Sequence, residues 1–381
     1  MEDKVRIHAQ HSRLCGWLCD AAYPLWSTRG RDPAGGFHER LAQNGEPLAE
    51  PRRSRVNPRQ VYCFAVAPSL GWRGDVAALV QHGLDYFLAR YRRSDGLFRT
   101  LVNADGSPRD DKALLYDQAF GLLAFNVATS VGTARVERER LALELMRLVF
   151  EKLKRSAGPG FESGLPASLP LLSNPHMHLF EAALAGSEMC PENTLWKSLA
   201  DELAELALAK FIDPVSGALR EFFDADWNPA PGIEGRIVEP GHQFEWAWLL
   251  LRWGGTKHPR AREAALKLID VGEHYGVRNG LATNSLLDDF SPHDPGARLW
   301  PQTERIKSAA LAARLTGEPR YFAMTAAATD GLFRYLETPV AGLWYDRIDA
   351  GGKTVDEPAP ASSFYHLVSA IAELSALARH V

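Results

Sequence analysis

Cysteine is scarce in this chain, and no long apolar run occurs. Its four cysteines, Cys15, Cys19, Cys63 and Cys190, are spread over 381 residues and form no C-x-x-C. That pattern excludes a disulfide framework and reads as small buried hydrophobes in a reducing compartment. No segment approaches the roughly 20 apolar residues of a membrane span. The opening residues Met1-Glu2-Asp3-Lys4-Val5-Arg6 are charged and have no apolar core, so no secretory signal is expected. Charge of one sign is also missing: 43 Lys and Arg face 47 Asp and Glu, interleaved, for a net charge of -4. With no basic stripe and no polybasic tail, nucleic acid and membrane surfaces are excluded as partners. There is no P-loop, no dinucleotide fingerprint, no G-x-S-x-G and no H-E-x-x-H. The expectation is a cytoplasmic enzyme with no cofactor.

What is present is helical pattern, repeated. Helices are expected near 5–26, 57–70, 73–93, 112–131, 134–155, 175–189, 194–210, 240–253, 258–275, 300–316, 318–336 and 361–379. Long loops between alternate pairs each open on a glycine, at Gly36, Gly96, Gly160, Gly217, Gly280 and Gly342, with spacings by subtraction of 60, 64, 57, 63 and 62. Short alternating segments in these loops, such as Gly36-Phe37-His38-Glu39-Arg40-Leu41, read as small β-hairpins. After each loop comes an apolar helix with a polar marker near its start: Arg59, Tyr116, His178, His242, Glu304 and His366. These are spaced by 57, 62, 64, 62 and 62 residues. Two rulers with one period mean a repeat architecture. Six units of loop, inner helix and outer helix, closing on themselves, make an all-α (α/α)6 barrel, expected as a single domain over 1–381. An open solenoid is the alternative, but it would leave the six markers without a shared site.

In such a barrel the first turns of the inner helices converge at one mouth. The most telling of them is Glu239-Pro240-Gly241-His242-Gln243-Phe244-Glu245-Trp246, where a helix apolar nearly all round begins with a His and a Glu on one face. A helix N-terminus biases a His toward its neutral, basic form, whereas a neighbouring carboxylate pulls the other way and can fix its tautomer by accepting the other N–H. His242 with Glu245 has that spacing. The collected set of His178, His242, His366, Glu245, Glu304, Arg59, Asn174, Tyr116 and Trp300 suits a neutral polyol better than a phosphate, because Arg59 is its one obvious cation.

Each residue also has a plainer reading. A lone His at a helix start is commonly a cap or a satisfied core group, but three at one point of different repeats argue for a shared site. Glu245 and Glu304 could be capping carboxylates, Arg59 a salt-bridge partner, Tyr116 a core tyrosine and Trp300 a wall. A metal is the rival use of the histidines. His176 and His178 are two apart, which turns their rings away from each other on a helix, and no ligand spacing occurs. A site assembled across helices stays open, and the expectation is no metal.

Taken together, Gly35-Gly36-Phe37, Arg59-Gln60-Val61-Tyr62, Tyr116-Asp117-Gln118-Ala119-Phe120, Asn174-Pro175-x-Met177-His178, Pro240-Gly241-His242-x-x-Glu245-Trp246, Trp300-Pro301-x-Thr303-Glu304 and Tyr365-His366 resemble the N-acylglucosamine 2-epimerase superfamily. That superfamily includes mannose isomerases, sulfoquinovose isomerases and cellobiose 2-epimerases. The resemblance spans nearly the whole chain. It implies an (α/α)6 barrel and metal-free acid–base chemistry on a reducing sugar, with His242 and His366 as the proton-transfer pair. It implies that His178 assists ring opening beside Asn174, that Arg59, Tyr116 and Glu245 bind hydroxyls, and that Glu304 supports the histidines. Arg236 resembles an arginine of the acylglucosamine epimerases. Glu245-Trp246, the Gly-Gly-Phe loop and Glu50-Pro51-Arg52-Arg53 resemble the mannose isomerase branch.

The leading expectation is therefore an aldose–ketose isomerase of the mannose–fructose type, a monomer or homodimer whose partner is a small-molecule sugar. The alternative is a 2-epimerase on N-acylglucosamine, glucose or mannose, or a disaccharide. A glycoside hydrolase would need two carboxylates flanking the scissile bond. Glu245 and Glu304 could supply them, but three histidines would then be surplus. A binding protein on this fold would not need His178, His242 and His366 intact.

Overall fold

The computed structural model describes residues 2–380. The outer helix α1 (Glu2–Trp17) runs through a π turn at Leu18–Ala22 into α2 (Tyr23–Thr28). Inner and outer helices then alternate: α3 (Val56–Val66) and α4 (Val76–Tyr91), α5 (Leu115–Ala128) and α6 (Arg135–Leu153), α7 (Ser173–Met189) and α8 (Thr194–Leu206). They continue as α9 (Pro240–Gly254) and α10 (Pro259–Gly276), α11 (Leu299–Thr316) and α12 (Pro319–Leu336), and end on the inner helix α13 (Ala361–Ala378). Each inner helix packs on its inner neighbours, and α13 packs on α3 to close the ring. The expected (α/α)6 barrel is therefore present, with helix ends within about three residues of those expected.

Burial separates the two rings. In α9 every residue from Pro240 to Leu251 is buried, as an all-round apolar pattern requires. In α8 the buried residues are Trp196, Leu199, Ala200, Leu203, Ala204 and Leu206, chiefly one stripe at helical spacing with a polar face outside. Among the described residues α13 is the last helix. Its outer partner is α1, which packs against both α12 and α13, so the two ends of the chain complete the sixth hairpin together. At this seam Gln10 Nε2 donates to Ala326 O at 2.9 Å, and the Trp26 indole donates to Gly342 O at 3.1 Å. Trp26 also stacks on Trp344 with centroids 4.9 Å apart.

The loop glycines serve one backbone purpose. All six ruler glycines have positive φ, from 68° at Gly36 to 94° at Gly342, a conformation that costs other residues. The turn exposes a buried N–H one or two residues later. In five loops a side chain at the start of an inner helix accepts that N–H: Phe37 N to Asn57 Oδ1 at 3.1 Å, Phe98 N to Gln118 Oε1 at 2.8 Å, Phe161 N to His176 Nε2 at 2.9 Å, Leu219 N to Gln243 Oε1 at 2.7 Å and Ala282 N to Gln302 Oε1 at 2.8 Å. Gln118, Gln243 and Gln302 also donate back to the same residue's carbonyl. These clamps tie each loop to the helix it feeds.

Three local hairpins occur, 101–102 with 108–110, 277–278 with 281–282 and 285–287 with 292–294. The ring also carries strand pairs between neighbouring repeats, which the sequence reading did not expect. Arg52–Arg53 pairs with Leu101–Val102, Ala113–Leu114 with Gly164–Leu165, Leu171–Leu172 with Phe222–Phe223, Ile237–Val238 with Leu286–Leu287 and Ala297–Arg298 with Arg347–Ile348. Arg40–Leu41 pairs with Ala359–Pro360 across the seam. Among the described residues no helix is long and apolar enough to cross a membrane.

At Gly36 a Cβ would meet Asn57 Oδ1 and Tyr86 Cδ1, both at 2.6 Å, on a residue with φ of 68°. Gly36→Ala is expected to destabilise the fold by about 1–3 kcal/mol through strain and a displaced clamp. Urea unfolding measures this, and an unchanged midpoint would contradict the clamp's role.

Candidate active site

A cavity of about 590 Å³ lies at the end of the barrel where the inner helices begin. Its lining includes Arg59, Tyr116, Asn174, His178, His242, Glu245, Trp300 and His366, contributed by all six inner helices. The ring explains the convergence: equivalent positions of parallel helices meet on one axis. Glu304 lies behind this surface, fully buried, with Oε1 2.8 Å from His366 Nδ1. Asn174 Oδ1 is buried and, among the described residues, has no hydrogen-bond partner.

The two principal histidines both pack against Trp300, with ring centroids 4.9 Å away for His242 and 5.9 Å for His366. Each has its Nδ1 2.8 Å from a buried carboxylate, Glu221 Oε2 for His242 and Glu304 Oε1 for His366. The hydrogen bonds are alike, but the charges around them are not. Burial alone would lower the pKa of His242, yet the carboxylates of Glu221 and Glu239 raise it to about 10. His366 is held well below its ordinary value by burial, then by Arg59 and Lys307. One imidazole is thus set as a cation and the other as a neutral base, a division typical of an acid–base pair.

The expected pairing of His242 with Glu245 is corrected. Glu245 points toward the barrel axis, where its Oε1 is 3.9 Å from His178 Nδ1. Burial and the like charge of Glu304 push its carboxyl well above the usual range. The partner of His242 is instead Glu221, from the loop before α9. The expected bias of His242 toward the neutral form is corrected for the same reason: two carboxylates outweigh a helix terminus.

His178 sits deeper, edge-on to Tyr116 with centroids 4.7 Å apart, and makes a long 3.5 Å contact to Glu181 Oε2. Burial lowers its pKa to about 3. His176, two residues away, faces outward. Its Nδ1–H donates to Leu172 O at 2.8 Å while Nε2 accepts from Phe161 N, so it is a neutral structural clamp. Arg59 donates to Ser362 O at 3.0 Å and Tyr116 Oη at 2.7 Å, and lies 4.2 Å from the Phe120 centroid. Among the described residues it has no carboxylate within ion-pair distance.

Arg59 is not the sole cation. Arg40, Arg53, Arg55 and Arg298 also line the cavity. Each is matched by a carboxylate: Arg40 by Glu50, Arg53 by Glu39, Arg55 by Asp117 at 3.3 Å and Arg298 by Glu239 at 3.4 Å. Arg236 is not brought to the site. It sits on a 3-10 turn outside the cavity lining, held by Asp288 at 2.8 Å and Asp289 at 3.0 Å.

The sequence reading missed Glu221, Glu239, Glu181 and Lys307. Glu221 had a usable signal, since it falls four residues after Gly217, as the cavity-lining Arg40 and Asp346 fall four after Gly36 and Gly342. Lys307 was visible as a lysine inside a fully buried run of α11. Its Nζ is 2.6 Å from Glu304 Oε2 and 3.7 Å from the Trp248 centroid.

Sequence spacing also missed two groupings with metal-ligand geometry. His178, Glu181 and Glu245, and likewise Glu245, Glu304 and His366, place one ligand atom each within 4.8 Å of one another. Each grouping is completed from another inner helix, α9 in the first and all of α9, α11 and α13 in the second, so linear spacing could not reveal them. In the second group the Lys307 ammonium already compensates Glu304.

Comparison with known proteins bears on this site. The family described as "N-acylglucosamine 2-epimerase (GlcNAc 2-epimerase)" matches residues 35–370. A protein named "Mannose-6-phosphate isomerase" from Rhizobium meliloti (strain 1021) is 49% identical over 376 residues, covering 97% of each chain. A "D-mannose isomerase" from Thermobifida fusca is 26% identical, covering 87% of this chain and 89% of its own. Among solved structures, a D-mannose isomerase superposes with a TM-score of 0.86 at 21% identity, covering 94% of this chain and 96% of its own. A cellobiose 2-epimerase from Bacillus thermoamylovorans gives 0.86 at 18% identity, covering 96% and 99%.

Proposed function

Because the chain belongs to the N-acylglucosamine 2-epimerase family, a family of sugar isomerases and epimerases, we propose that it is an aldose–ketose isomerase of the mannose–fructose type. The observation that carries this reading is the oppositely charged pair His242 and His366, both packed against Trp300.

With the sugar ring opened, His366 Nε2 takes the proton from C2. The electron pair moves into a C1–C2 enediolate, and the charge on O1 falls near the unpaired guanidinium of Arg59. His242, as imidazolium, protonates O1 and recovers the proton of the O2 hydroxyl. His366 returns its proton to C1 on the same face, leaving a ketone at C2. Atoms and charge balance, and both histidines return to their starting states. His178 and Asn174 reach the ring-opening end, Tyr116 and Glu245 hold hydroxyls, and Glu304 orients His366. No Lewis acid is needed, because the oxyanion meets fixed donors.

A 2-epimerase would require His242 to reprotonate C2 from the opposite face, and the origin of His242 and His366 on different inner helices, α9 and α13, supports that as the second reading. The substrate has two candidates. The 49% identical relative favours mannose 6-phosphate, whereas the matched cavity arginines favour the neutral hexose.

The test incubates mannose, mannose 6-phosphate, glucose and N-acetylglucosamine with enzyme in D2O and follows products by NMR. Fructose or its 6-phosphate, with deuterium at C1 to the extent of exchange, is expected. Glucose formed from mannose with no ketose at any time would reject the isomerase. His242→Ala and His366→Ala are each expected to lower kcat at least ~10²-fold, the low end for general acid–base catalysis. Near-wild-type kcat in either folded variant would remove that residue from the mechanism. Turnover is expected to survive exhaustive chelation. Loss on chelation with recovery on adding a divalent ion would move the chemistry to the carboxylate–histidine groupings.

A further inference from the structure

His242 and His366 have the same partner at the same distance, a buried glutamate oxygen 2.8 Å from Nδ1. A carboxylate alone would push both imidazoles toward the cation. The two carboxylates differ in what stands behind them. Glu221 Oε2 accepts from the neutral Ser173 Oγ at 3.1 Å, and among the described residues it is paired with no Lys or Arg. Glu304 Oε2 faces the Lys307 ammonium at 2.6 Å, fully buried, where its charge is poorly screened.

We propose that Glu221 and Lys307 are positioning residues that divide the work between the two histidines. Glu221 holds His242 as the imidazolium, and Lys307 cancels the charge of Glu304 so that Glu304 orients His366 without protonating it. The catalytic consequence rests on the isomerase reading above, whereas the protonation states themselves do not.

Other charged groups also face each ring. Around His242 stand Glu239 on its own helix, with Oε2 3.7 Å from Nδ1, and Glu245 one turn on. Arg298 lies 3.4 Å from Glu239 and offsets part of that charge. Around His366 stand Glu304 and Lys307 from α11, Arg59 from α3, Glu181 and His178 from α7 and His242 and Glu245 from α9. Of these only the three glutamates favour its charged form. Nδ1–H of each histidine is directed at its carboxylate, so Nε2 is the atom left to the cavity: a donor on His242 and an acceptor on His366.

The first experiment is 15N NMR of histidine-labelled wild-type protein at pH 7, with signals assigned through His242→Gln and His366→Gln. The expected result is an imidazolium at His242 and a neutral Nδ1–H tautomer at His366. A neutral His242 or a cationic His366 would overturn the proposal without any variant of Glu221 or Lys307. The second is Glu221→Gln, which keeps the hydrogen-bond acceptor and removes the charge. Activity that needs protonated His242 is lost as pH rises through its pKa, so the alkaline limb of kcat/KM should move down by at least one pH unit, a tenfold weaker hold on the proton. An unmoved His242 titration in this variant would equally overturn it. Lys307→Met should raise His366 and move the acid limb to higher pH, with Lys307→Arg restoring it. An acid limb that stays in place in a folded Lys307→Met protein counts against the lysine. If the NMR states are as expected and no sugar is turned over, the isomerase reading fails and the tuning stands.

Discussion

An inner helix of this barrel has no side that meets solvent, and that constraint governs the rest. A charge placed on such a helix must find a partner on another element or give up its charge. The six inner helices obey it at one end. Glu304 meets Lys307 and His366, Glu221 reaches His242 from a loop, and His178 lies between Glu181 and Glu245. Because these groups are dry, small differences in neighbours become large differences in protonation. The same burial that endangers the fold therefore sorts the two histidines.

The mouth must be held open and in register for this to work, and the loops do that. Each ruler glycine turns the chain, and in five of the six loops an amide or imidazole at the start of the next helix catches the N–H that follows. His176 and His178 show how narrowly structure and chemistry are separated. They are two residues apart, on one turn of α7. His176 looks outward and is spent on Leu172 O and Phe161 N, while His178 looks to the axis and lines the cavity. Closure of the ring is supplied by chain ends far apart in sequence, α1 against α12 and α13, with the strand pair Arg40–Leu41 and Ala359–Pro360 above them.

The mixed rim of the cavity bears on substrate choice. Four arginines there are each matched by a carboxylate, so the net field is weak, and the unmatched Arg59 stands deep beside the histidines. A cation so placed serves charge that develops at the reacting carbon end of a sugar more directly than charge carried at the far end.

By itself the sequence determined the repeat. Two rulers, one of glycines and one of polar markers, fixed six hairpins, the ring and the meeting of Arg59, Tyr116, His178, His242 and His366 at one mouth, because period and helical geometry are local properties of the chain. It could not determine who pairs with whom. Glu245 looked like the partner of His242 because they share a helix face, but the ring turns Glu245 to the axis and brings Glu221 in from a loop. Arg236 looked like a site residue and is instead held by Asp288 and Asp289. Lys307 cancels Glu304, and the arginines of the rim are matched, through contacts between helices and loops that no spacing encodes. Protonation depends on the distance between charges in a dry interior, and those distances exist only once the ring has closed.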